Sequence, residues 1–123
     1  MRVVVCVLLA LLAMPARAQW EVVAKTFAVV IYINPASLRK DGDLREVWAI
    51  QDLRERDEDG EMSRLVLLQL DCREELFRPL AASTHDEPMA FGATLFSSNR
   101  TFGWQTIPPG SLAGGVLKIV CAK

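Results

Sequence analysis

The sequence predicts an α+β, β-rich domain: an antiparallel sheet of about five or six strands, a short C-terminal helix and one disulfide. Three observations predict it. Runs of β-branched and aromatic residues alternate with Gly, Pro and Asp turn signals along residues 28–83. The apolar period changes from two to that of a helix after Pro108-Pro109-Gly110-Ser111. The segment beyond residue 18 holds two cysteines, Cys72 and Cys121.

The cysteine count depends on the N-terminus. Arg2 opens the chain, Val3 to Ala13 is apolar, and Ala16-Arg17-Ala18 is an A-x-A site. A basic start, a short apolar stretch and small residues at the cut define a cleavable signal peptide. Residues 1–18 are therefore read as the signal, with cleavage between Ala18 and Gln19, and residues 19–123 as a single domain. The run falls short of the ~20 apolar residues that span a bilayer, so no stable membrane anchor is expected. Cys6 lies at the start of the apolar run, where it cannot serve as a lipidation site at its end.

With Arg2 and Arg17 removed, 12 basic residues face 15 acidic ones. That balance disfavours nucleic acid and anionic membrane as partners, since both call for a basic face. An even pair of cysteines in an exported chain reads as one bridge, Cys72 to Cys121. It would close a loop of about 50 residues, worth ~4 kcal/mol in the chain-entropy model. Two unpaired buried thiols are the alternative.

The strands follow in order. Ala28 to Asn34 (AVVIYIN) ends at Asn34-Pro35, and a turn region runs to Asp41-Gly42. Leu44 to Leu53 is the second strand, followed by the charged hairpin tip Arg54 to Glu61. Arg64 to Cys72 is the third, and Val66, Leu68, Leu70 and Cys72 make one side of it wholly apolar. Glu75 to Ser83 is the fourth; Pro79 cannot donate to a ladder, which calls for an edge or a bulge. Short strands over 88–96 and 104–107 complete the sheet. Ser111 is a plausible N-cap, and Leu112, Ala113, Val116, Leu117, Val120 and Cys121 share one helical face. Gly114 and Gly115 weaken that helix by ~1 kcal/mol each, and a final strand is the alternative.

Few residues could carry chemistry. His85, in Ser83-Thr84-His85-Asp86, is the one histidine and reads as a loop residue: neighbours in a strand face opposite ways, and no nucleophile elbow occurs. One histidine and a bridged cysteine pair cannot make a zinc site. Asp57-Glu58-Asp59-Gly60 resembles a calcium loop, but Val66 falls where an EF-hand requires Glu. No catalytic residue, metal or cofactor is assigned. Of Trp20, Trp48 and Trp104, two are expected in the core.

An ordered set of short motifs remains. Trp20 precedes Val30-Ile31-Tyr32-Ile33-Asn34-Pro35-Ala36-Ser37-Leu38; then come Val47-Trp48, Gln51-Asp52-Leu53, Met62-Ser63-Arg64, Asp71-Cys72, Trp104, Ile107-Pro108-Pro109-Gly110-Ser111 and Val120-Cys121. In this order they resemble the surface-adhesin protein E-like family of small exported bacterial proteins. The resemblance covers nearly all of residues 20–121. It implies an antiparallel sheet with a C-terminal helix, and a non-enzymatic protein-binding module, the namesake being an adhesin for host matrix and plasma proteins. It does not carry over any binding residue. The chain lacks the namesake's lipid-bearing cysteine, which leaves periplasm, medium and cell surface open as locations. A periplasmic envelope-maintenance factor, an inhibitor or chaperone-like protein, is the alternative function.

One pattern suggests where binding occurs. The expected central strands are apolar on both sides, whereas a sheet with one solvated side alternates. A single helix covers one face, which leaves Leu65 and Leu67 on the other. That second face is expected either to meet a protein partner, most simply a second copy in a homodimer, or to be covered by residues 85–103.

Overall fold

The computed structural model describes residues 19–123; the expected signal peptide, 1–18, lies outside the described residues. The order is β1 (Glu21–Lys25), β2 (Val29–Ile33), β3 (Arg39–Asp41), β4 (Leu44–Leu53), β5 (Ser63–Asp71), β6 (Leu76–His85), β7 (Thr94–Ser98), β8 (Gln105–Thr106) and α1 (Leu112–Cys121). All pairings are antiparallel. The sheet runs β1-β2-β4-β5-β6-β7, with β3 added to β4 and β8 to β6. The predicted class is the observed one.

Two strands go beyond the sequence reading. β1 pairs with β2 around a bulge at Val23. β3, inside the segment read as a turn, pairs with β4 across Gly42-Asp43, where Gly42 takes a positive φ of 57°. In β6, the register to β5 slips by one residue between Ala81 and Pro79. The bulge predicted from Pro79 is present, and it absorbs the missing donor.

The core lies between α1 and one face of the sheet. Ile31, Ile33, Val47, Ala49, Leu70, Val116 and Val120 form it. Alternate residues of β2, β4 and β5 supply the sheet side, and Leu68 and Phe77 pack at its border. Ser111 caps α1 by accepting from the Gly114 N–H at 3.1 Å. Gly115 is explained by packing. A Cβ there would lie 3.1 Å from the Ala24 Cβ, so the glycine lets the helix settle onto β1. Cys72, just past β5, is bonded to Cys121 in the last turn of α1. Among the described residues no helix is long and apolar enough to cross a membrane.

Candidate protein-binding face

The other face of the sheet is built from the intervening residues of the same strands. Register places Tyr32 beside Ile50, Ile50 beside Leu65 and Leu65 beside Ser83. A second row sets Trp48 beside Leu67 and Leu67 beside Ala81. Leu65 and Leu67 thus lie where the sequence places them, opposite the helix. Both are half-buried, as are Tyr32 and Trp48.

The cover on this face is partial. A 3-10 turn at Pro88–Ala90 packs over one end and leaves Ile50 only 1% exposed. Its backbone is strained, with φ of 57° at Met89 and 61° at Ala90. Two polar anchors hold it: Asp52 accepts from the Met89 N–H at 2.9 Å, and Ser63 Oγ from the Ala90 N–H at 2.8 Å. Ser63 Oγ also donates to the Glu87 carbonyl at 2.6 Å. Residues 94–106 turn away to the sheet edge instead of crossing the face. The covering loop considered for residues 85–103 therefore exists only in its first part.

Beyond the turn the face is open. A depression of ≈ 340 Å³ has Trp48 and Leu67 among its lining, with Ala36, Ser37, Arg39 and Glu46 around them. Ser37 Oγ accepts from the Trp48 N–H at 3.0 Å, which fixes this strand against the 35–37 turn. An apolar centre ringed by one cation and one carboxylate suits a protein surface better than a highly charged ligand.

The remaining candidates sort clearly. His85 is not in a loop; it ends β6, is 7% exposed, and its Nε2 lies 2.8 Å from Ser83 Oγ. Residues two apart in a strand share a face, a pairing that the adjacent-residue reading missed. Its Nδ1 meets no hydrogen-bond partner, so nothing orients the ring as a triad carboxylate would.

The acidic hairpin tip brings carboxylate oxygens of Asp57, Asp59 and Glu61 within 4.8 Å of one another. Arg64 occupies the role a cation would have. It donates from Nε to Glu61 at 2.6 Å and from an amino nitrogen to Asp57 at 3.2 Å. The Glu61 backbone N–H, with the Arg64 contact adding to it, holds the Asp57 carboxyl below its usual range. The Glu61 hydrogen bond raises Arg64 in turn.

None of the tryptophans joins the buried core. Trp20 is half-buried, Trp48 lies on the open face, and Trp104 is 37% exposed beneath the Arg78 guanidinium. The expectation of two core tryptophans fails because aliphatic residues fill the space under α1.

The sequence profile of surface-adhesin protein E matches residues 20–122. The chain belongs to the surface-adhesin protein E family. Its fold is similar to that of Haemophilus influenzae protein E in crystal form II, with a TM-score of 0.66 and 16% identity over 86% of this chain and 89% of that one. Protein E from non-typeable Haemophilus influenzae gives a TM-score of 0.60 at 17% identity, over 86% and 77%. No curated protein sequence matches the chain significantly. Identity this low transfers the fold; the open face has to be read from this chain's own residues.

Proposed function

We propose that the chain is an exported, non-enzymatic protein-binding module that is cleaved after Ala18 and works from Gln19 onward. The observation that carries the reading is the difference in cover between the faces. One helix buries the middle of one side, with Leu68 and Phe77 partly buried at its border, while Trp48, Leu65 and Leu67 lie partly exposed with no helix over them on adjacent central strands of the other. Membership in a family named for a surface adhesin supports protein binding. The leader and the Cys72–Cys121 bridge support export to an oxidising compartment: the periplasm, the medium or the cell surface. The isolated Ser83–His85 pair, without a group orienting the ring, supports a non-enzymatic role.

A photo-crosslinking residue at position 67 tests the face. Exported protein carrying it should give a discrete adduct with another protein, and the same residue at exposed Lys40 should not. Equal adducts from both positions would remove the assignment. N-terminal sequencing of the exported protein should read Gln19 first.

A further inference from the structure

The helix side of the sheet is not filled to its border. Gln51 and Arg64 are cross-strand partners on β4 and β5, and by alternation they share the face of Val47, Ala49 and Leu70. Between this polar pair and the first turns of α1 lies a slot of ≈ 240 Å³. Ile31, Leu70 and Val116, all buried, form its floor. Leu53, Leu68, Phe77 and Leu112 wall it and are only partly buried. On the helix side, Ala113 is the small residue that leaves the space open. The slot lies across the sheet from Trp48 and Leu67, so it is separate from the face read as protein-binding.

The polar pair at its mouth has donors to spare. Arg64, whose side chain is 41% exposed, spends Nε on Glu61 at 2.6 Å and one amino nitrogen on Asp57 at 3.2 Å. Its other amino nitrogen and the Gln51 amide meet no protein partner among the described residues. An apolar cavity with a few placed polar groups is the general form of a small-ligand site.

We propose that this slot binds a neutral single-chain amphiphile, with its acyl chain between sheet and helix and its amide or ester carbonyl on Gln51 and Arg64. Volume sets the chain. The slot has room for about eight water-sized groups, hence for an acyl chain of about six to eight carbons. Charge sets the head. Asp57, Asp59 and Glu61 crowd around Arg64, and the Arg56 guanidinium at the same tip is turned to the Gly60 and Asp86 carbonyls, 2.8 Å from each. An anionic head would meet these carboxylates and be repelled. A neutral carbonyl accepts from the same two donors without that cost.

Calorimetric titration of the exported chain with acyl amides tests the site. Octanamide should bind about tenfold more tightly than hexanamide, and decanamide should gain no more than about twofold beyond it. Octanoate should bind about tenfold more weakly than octanamide. In wild type, octanamide should shift the methyl resonances of Leu53, Leu68 and Leu112 and spare those of Leu65 and Leu67. Ala113→Phe, which fills the slot, should abolish binding with an unchanged circular dichroism spectrum. Gln51→Ala, which removes one donor, should weaken it about fivefold. A wild type that binds no amide overturns the proposal, as does an affinity indifferent to chain length. Octanoate binding as tightly as octanamide refutes the neutral head and with it the ligand class. Shifts centred on Leu65 and Leu67 would move the ligand to the open face. A protein adduct from a photo-crosslinking residue at position 112, without octanamide binding, would give the slot to a protein. Either result ends the proposal.

Discussion

The two faces of this sheet are made from alternate residues of the same strands, yet they have different fates. In β4, Val47 and Ala49 are buried beneath α1. Their neighbour Trp48 is left half-open, and Ile50 is buried only where the 88–90 turn crosses it. Apolar content alone does not decide which side becomes core. What decides it is the element available to cover each side, and here a single helix is tied to one of them.

The strongest way to break this comparison is to truncate one residue on each face. Ile33→Ala, under α1, should cost ~2–5 kcal/mol by urea denaturation, since its cavity cannot collapse. Leu67→Ala, partly exposed and with no helix over it, should cost less, about 1–2 kcal/mol. Equal losses would mean that both faces are core. Next in size is the tether: Cys121→Ser should cost ~2–5 kcal/mol, and a variant as stable as wild type would show that packing alone retains the helix.

The glycines sharpen the comparison within α1. Gly115→Ala should be neutral or destabilising by about 1 kcal/mol, because its methyl presses on Ala24 against the gain in helix propensity. Gly114→Ala meets only ordinary contacts and should stabilise by ~0.5–1 kcal/mol, which thermal unfolding of both variants would check. The smallest effect lies at the hairpin tip. The carboxyl of Asp57 titrates below its usual 3.8 in the folded chain, so its contribution is intact above that value and is lost as pH falls through the folded one. Asp57→Asn should therefore lower the urea midpoint slightly at pH 7 and converge with wild type at pH 2. A constant offset would place the effect elsewhere.

Much of this architecture was legible in the residues. β4 spans the same ten residues that composition and turn signals mark, and Pro79 announces its own bulge. β1 and β3 were not legible, because strands of five and three residues are defined by what they pair with. Trp48 misled as a core candidate: size suits it to a core, but register puts it on the open side. Leu65 and Leu67 could be placed by alternation alone. The 88–90 turn could not, because its path depends on Asp52 and Ser63, 37 and 27 residues upstream of the groups they hold.

The bond from Cys72 to Cys121 also has a mechanical consequence. The two cysteines are 49 residues apart in sequence. Tension on the C-terminus passes through the sulfurs straight to the end of β5, bypassing everything from β6 to α1. An unbridged chain could pay out about 160 Å of that segment before going taut, at about 3.3 Å per residue. The bridged chain can release none of it. Under a pull between its two ends the chain would then lengthen first outside the bridged segment, in the strands before Cys72.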